Sequence, residues 1–200
     1  MKKLSILVLL TMLVGTSCKI TDTKPEDKEN LIKERQSSLE AINNWQLWSK
    51  AGVNTAKESG TVSLQWTQEG DNYSIEIVAP MGKGRWQITG NSDTVILENS
   101  HGEKYIGENP QQLFKKNSGL DVPINNLFYW IKGIPAPQEL ERADYDGDGR
   151  LQVLHQSGWN IEYRRYASVD GYYMPIKVFA KSEQKKFEFR LSIKRWSIDG

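Results

Sequence analysis

"TVSLQWTQEGDNYSIEIV", residues Thr61 to Val78, holds two alternating runs joined by a turn. Val62, Leu64 and Trp66 occupy every second place, with Thr61, Ser63 and Gln65 between them. Tyr73, Ile75 and Ile77 repeat the pattern around Ser74 and Glu76. A period of two puts the apolar side chains of a strand on one face, whereas a helix scatters them around its circumference. "EGDN" between the runs supplies turn-forming residues. The stretch therefore predicts an antiparallel hairpin buried on one side.

The same period recurs outward from it. Phe187, Phe189, Leu191 and Ile193 alternate with Glu188, Arg190, Ser192 and Lys194. Shorter runs at 46–53, 85–90, 93–98, 103–106, 150–154, 159–165 and 174–181 also read as strands, separated by turns such as "GNSD", "SHGE", "QSG" and "VDG". Many short strands with hairpin connections predict an antiparallel sheet that curls or closes. The seven tryptophans are spread along the chain rather than clustered, so most belong to one shared interior.

Two stretches break the β pattern. Leu31 to Asn43 predicts a helix, with Leu31, Ile32, Leu39 and Ile42 on one stripe. In the middle, "NPQQLFKKNSG" (Asn109 to Gly119) reads as a short helix with Pro near its start and Gly at its end. Ile124, Leu127, Phe128 and Ile131 then form a second helical stripe, stopped by Gly133, Pro135 and Pro137. A helical insertion apolar on one face needs a sheet face or a barrel mouth to cover.

The N-terminus reads as a leader. "MKK" is a basic start, and Leu4 to Val14 is an apolar segment shorter than the ~20 residues that span a bilayer. "GTSC" leads to the only cysteine, Cys18. The pattern resembles a bacterial lipoprotein signal, in which that cysteine becomes the first mature residue and carries the lipids. Gly15 departs from it, since Leu is usual there. Residues 1–17 are thus expected to be a signal peptide, 18–30 a lipidated flexible tether, and 31–200 a single domain. The plain alternative is a signal peptide cleaved nearby beside an incidental cysteine. Without residues 1–17 the chain has 24 basic and 25 acidic residues, and no basic run signals nucleic acid.

Few residues suggest chemistry. His101 and His155 are the two histidines, and no nucleophile elbow, zinc-helix or phosphate-loop motif is present. No enzyme, cofactor or metal is expected. "DYDGDGRLQVLH" (Asp144 to His155) begins like a calcium loop, but its twelfth place holds His155 rather than Glu, and Leu151 to Leu154 reads as a strand. A polar hairpin connection is the preferred reading. The aromatics leave two possibilities open, an ordinary filled core or the wall of an apolar cavity. "VAPMGKGRW" (Val78 to Trp86) poses a separate question, because large apolar Met81 stands at the tip of an evident turn.

Taken in order, "PMG" (Pro80 to Gly82), "NLFYWIKGIPAP" (Asn126 to Pro137), "SGWNIEYRRY" (Ser157 to Tyr166), "MPIKVFAK" (Met174 to Lys181) and a last strand ending in Trp196 resemble the LolB family of outer-membrane lipoprotein receptors. The resemblance implies a mainly β fold: an unclosed antiparallel β-barrel, or half-barrel, with an N-terminal helix, an apolar cavity and a helical lid at about 109–135. It implies a monomer, lipid-anchored in the outer membrane and facing the periplasm. Such a receptor accepts triacylated lipoproteins from a LolA-like periplasmic carrier and inserts them into the inner leaflet of the outer membrane. Lys19, after the cysteine, agrees with outer-membrane sorting under the enterobacterial rule. The acidic "DYDGDG" connection, and Met81 where the family commonly has Leu, depart from the family pattern. The resemblance gives Pro80, Met81 and Gly82 the role of a membrane-transfer loop. Alternation then nominates Trp66, Ile75, Ile77, Trp86, Ile88, Leu97 and Trp159 as cavity lining, with Leu127, Phe128 and Ile131 under the lid. The rival expectation is a periplasmic lipoprotein that binds a different lipid or hydrophobe.

Overall fold

A computed structural model describes residues 25–80, 84–138 and 140–199. Cys18, Met81 and Gly82 lie outside the described residues, as do the signal peptide and the first part of the tether.

Eleven strands form one antiparallel sheet. In chain order they are β1 (Asn44–Thr55), β2 (Ser59–Glu69), β3 (Asn72–Val78), β4 (Arg85–Gly90), β5 (Val95–Asn99), β6 (Lys104–Gly107), β7 (Leu140–Tyr145), β8 (Leu151–Gln156), β9 (Trp159–Val169), β10 (Tyr172–Ser182) and β11 (Phe187–Ile198). Their spatial order is β6-β5-β4-β3-β2-β1-β11-β10-β9-β8-β7. β6 and β7 do not pair with each other, so the half-barrel stays open. Register follows the alternation: Leu64 faces Ile77 and Trp66 faces Ile75 across the β2–β3 ladder.

The chain crosses from one open edge to the other through two helices, α2 (Pro110–Ser118) and α3 (Ile124–Trp130). Asn109 caps α2 by accepting from the Gln112 N–H at 3.0 Å, and Gly119 ends it at φ 77°. Both helices lie within the expected lid.

The N-terminal helix α1 (Pro25–Glu40) differs from expectation at both ends. It takes six residues from the expected tether, and it stops before Ile42. Pro25 needs no amide partner in a first turn, and Glu26 and Asp27 suit the positive end of the helix. Leu39 is buried in it, but Leu31 is exposed. Polar side chains contribute much of its docking: Lys28 Nζ donates to the Tyr145 carbonyl at 3.1 Å, Gln36 Nε2 to Tyr145 Oη at 3.0 Å, and Arg35 to the Tyr173 carbonyl.

β7 is the strand that alternation does not predict. "LERADY" has no apolar period, and it forms an edge strand with an exposed to half-buried surface. The turn joining it to β8 is a polar hairpin. Asp146 Oδ1 accepts from the amides of Asp148 and Arg150, both at 2.9 Å, and Oδ2 accepts from Arg150 Nε at 2.7 Å. Asp146 is thereby committed to turn geometry, with its carboxyl held below the usual range by these bonds against the opposing effect of partial burial.

Five of the seven tryptophans are buried: Trp45, Trp66, Trp130, Trp159 and Trp196. Trp45 joins Trp66 and Trp196, with both ring separations 5.4 Å. Trp86 is half-buried on the inner face and Trp48 half-buried on the outer one.

Candidate functional site

The strands around β1 to β4 enclose an apolar cavity of about 600 Å³ with the lid across it. That volume suits small hydrophobic ligands. Its walls include Val62, Leu64 and Trp66 from β2, Ile75 and Ile77 from β3, Trp86 and Ile88 from β4, and Phe187, Phe189 and Leu191 from β11. The lid contributes Phe114, Leu120, Val122, Ile124, Leu127 and Ile131. Glu58, at the rim, is the one ionisable residue among the described lining. The wall thus offers mainly dispersion contacts and exclusion of water, and Glu58, Ser59 and Thr61 are the polar side chains among the described lining.

Seven of the ten nominated residues line this cavity: Trp66, Ile75, Ile77, Trp86, Ile88, Leu127 and Ile131. The other three do not, for different reasons. Leu97 faces inward from β5 but is fully covered by core. Trp159 fills the opposite half of the sheet, 5.4 Å from Phe189, 5.8 Å from Phe187 and 6.3 Å from Trp130. Phe128 turns toward the far end, edge-on to Trp66 at 4.8 Å and to Tyr73 at 5.0 Å. Leu64, Val62, Phe189 and Leu191 were absent from the nomination, although they share the alternation that carried the others.

Phe128 and Tyr73 line a second recess at that far end, of about 660 Å³ and more polar, with Gln68, Asn43, Asn125 and Lys132. Lys132 is buried there, its Nζ 3.4 Å from the Ile42 carbonyl, and burial pushes its pKa down. Burial also pushes the Tyr73 phenol up to about 12.

The apolar cavity meets the surface where β3 ends. Ala79, Pro80 and Gly84 line its rim, beside Ser59 and Gly60 from the β1–β2 hairpin. The Ala79 N–H donates to the Gly84 carbonyl at 2.9 Å and closes the loop that carries position 81. Pro80 is exposed. Of the nominated loop, Pro80 is thus at the cavity rim, and the described residues that flank positions 81–83 sit there with it.

The lid is held firmly at one end. Gln156, fully buried on β8, accepts from Trp130 Nε1 at 2.8 Å and the Ala136 N–H at 2.9 Å. Its Nε2 donates to the carbonyls of Ala136 at 2.9 Å and Gln138 at 3.1 Å. Tyr163 Oη donates to the Trp130 carbonyl at 2.9 Å. "WIKGIPAP" thus works as a clasp. Toward α2 the ties are side-chain contacts: Phe114 edge-on to Trp86 at 5.8 Å, and Asp121 between Lys115 and Lys185 at 2.9 and 3.3 Å.

Comparison with known proteins agrees with this geometry. The family model described as outer membrane lipoprotein LolB matches residues 43–196. An outer-membrane lipoprotein LolB of Pseudomonas syringae pv. syringae is 33% identical over 193 residues, covering 96% of this chain and 92% of the relative. One from Ectopseudomonas mendocina is 34% identical over 161 residues, covering 80% and 78%. Among solved structures, a LolA superfamily protein from Nitrosomonas europaea superposes with a TM-score of 0.55 at 9% identity, covering 86% of this chain and 94% of its own. A DUF1329 family protein from Desulfovibrio piger does so with 0.51 at 7% identity, covering 87% and 92%. At such identities these two speak for the fold alone.

Proposed function

The chain belongs to the LolB family of outer-membrane lipoproteins, and we propose that it is the receptor that takes lipoproteins from a LolA-like carrier and releases them into the inner leaflet of the outer membrane. The observation that carries this reading is the apolar cavity opening beside the 79–84 loop. A cavity wall whose one ionisable residue among the described lining is Glu58, at the rim, suits acyl chains, and in this reading the loop between Ala79 and Gly84 touches the membrane as they leave.

In this reading Cys18 carries the lipids that hold the protein at the membrane, facing the periplasm, and the protein acts as a monomer. One acyl chain anchors marginally and two or more anchor firmly, at about 0.8 kcal/mol per buried CH₂. One Met side chain contributes ~1.5–3 kcal/mol when fully buried. Met81 is therefore superfluous as an anchor, and its role is local, easing acyl chains from the rim into lipid. The transfer makes and breaks no covalent bond. A tenfold preference at each hand-over takes only about 1.4 kcal/mol, which the match between acyl chains and cavity wall can supply.

The test is a transfer assay with a carrier of the same organism loaded with a triacylated lipoprotein. Cargo should move onto this protein and then into liposomes. Failure to accept cargo, with binding of free fatty acid or another lipid intact, would favour a lipoprotein with a different hydrophobic ligand.

A further inference from the structure

The outward face of the middle strands is strongly basic, although the whole chain has a formal net charge of only +1. Lys50 on β1, Arg190, Lys194 and Arg195 on β11, Lys177 on β10 and Arg164 on β9 are all exposed. The carboxylates among them are already paired: Glu162 with Arg164 at 2.8 Å and Glu188 with Arg190 at 2.6 Å. Two aromatic rings lie within the same face. Arg195 stacks over Trp48 at 3.6 Å, and Arg164 lies over Phe179 at 3.8 Å. Arginine on an aromatic face combines an apolar body with a charged tip, a combination suited to the boundary between water and lipid.

The topology gives this face a place. Helix α1 starts near Tyr145, at the β7 edge of the sheet and at the strand ends away from the cavity rim. The end of β3 and the start of β4, which flank residues 81–83, lie in the other half of the sheet, at the opposite strand ends. Six residues separate Cys18 from Pro25, and the seven steps between them reach at most ~25 Å. β1 alone, with 12 residues, rises about 40 Å. A short tether at one end and a membrane-touching loop at the other can share one bilayer when the barrel lies along it. Between these two points run β2, β1, β11, β10 and β9, whose inner face is occupied by core and cavity.

The geometry points to a side-lying posture, in which the outer face of β9, β10, β11 and β1 binds an anionic phospholipid surface. This rests on the receptor reading, with Cys18 as anchor. The basic face supplies a second, salt-sensitive hold that fixes orientation, as juxtamembrane basic clusters do on acidic leaflets. It keeps the cavity rim beside the bilayer.

The experiment uses lipidated protein in vesicles. With Cys18 acylated, a cysteine introduced as Lys177→Cys is the only free thiol and can carry a fluorophore. Lys116→Cys, on the lid, is the reference. Quenching by nitroxide-bearing lipid should be several-fold stronger at position 177 than at 116 in vesicles with one quarter phosphatidylglycerol. The difference should fade in pure phosphatidylcholine and at 1 M salt, where screening shortens to about 3 Å. Lys50→Glu with Lys194→Glu should also abolish it. Equal quenching at both positions, or a difference indifferent to phosphatidylglycerol, overturns the inference. So does protection of position 177 that appears only when an acidic carrier protein is added, which would make the face a protein-docking surface. Flotation with phosphatidylcholine alone reads the lipid anchor separately. Its loss would sink the anchor, and flotation dependent on phosphatidylglycerol would then decide the basic face by itself.

Discussion

Trp130 and Gln156 are locked together out of solvent, the indole N–H of the one donating to Oε1 of the other at 2.8 Å. The same amide serves Ala136 twice and Gln138 once. Gln156→Met keeps the volume and removes every partner. Each buried polar group left unmet costs about 1–3 kcal/mol. The variant should lose at least ~2 kcal/mol in urea unfolding. A loss below ~0.5 kcal/mol would mean that the clasp is not what holds the lid.

Gly133 stands three residues after Trp130 with φ 79°. A Cβ there would meet Pro175 Cγ at 3.0 Å and Tyr166 Oη at 3.1 Å. Gly119 has nearly the same angle, φ 77°, but open space around it. Both Gly→Ala changes incur the left-handed penalty of about 1–2 kcal/mol, and only Gly133→Ala adds a clash. Calorimetry should therefore rank Gly133→Ala clearly below Gly119→Ala. Equal melting temperatures would show that Pro175 and Tyr166 yield freely.

Tyr73 is buried with its hydroxyl lacking a hydrogen-bond partner among the described residues. Burial raises its pKa to about 12, against about 10 in an unfolded chain. Between those values the unfolded state has lost the proton and the native state keeps it. Stability is therefore full below pH 10 and falls by about 1.4 kcal/mol per unit as pH rises to 12. Tyr73→Phe should flatten that slope relative to the parent, with no loss at pH 7, because no bond is given up. A parallel slope in the variant would place the alkaline sensitivity elsewhere, Tyr163 and Tyr166 being the next candidates since burial raises both.

Much of this architecture was legible because alternation is a local signal. Val62, Leu64 and Trp66 point inward for the reason that any half-buried strand alternates. What alternation cannot say is which part of the inner face stays empty. Leu97 and Trp159 point inward as expected, yet they are packed over, while Leu64 and Leu191 line the cavity. That difference is set by where the lid crosses and by which aromatics meet beneath it, and it depends on residues far apart in the chain. Phe128 shows the same limit on a short helix, where one rotation carries a ring from one recess to the other. β7 left no trace in the periodicity because an edge strand needs no apolar row. The start of α1 was hidden because much of its docking is polar.

Ile77 tests the cavity itself. It lines the wall and pairs across the ladder with Trp86. Ile77 is half-buried and borders empty space, so a carboxylate there can stay solvated while the cavity is unfilled. Ile77→Glu should keep the β-sheet circular dichroism and most of the stability, and weaken binding of an apolar dye at least tenfold. Filling the cavity would strand the charge, which is costly without a partner. Undiminished dye binding by the folded variant would move the ligand site away from β3.

Met81→Glu addresses release alone. Position 81 lies between Ala79 and Gly84, which are bonded to each other at the cavity rim, and its neighbour Pro80 is exposed. A charge at the tip should leave the sheet, the clasp and the cavity wall untouched, so thermal stability and cargo acceptance should stay at the parent level. It should resist entry into lipid, where a charged side chain is unfavourable by several kcal/mol. Cargo should then accumulate on the receptor and reach liposomes at least tenfold more slowly. Met81→Leu, apolar and similar in volume, should transfer at the parent rate. If Met81→Glu releases cargo normally, the tip has no part in transfer and the apolar residue there is incidental. If it fails to accept cargo, position 81 belongs to the carrier hand-over and not to release.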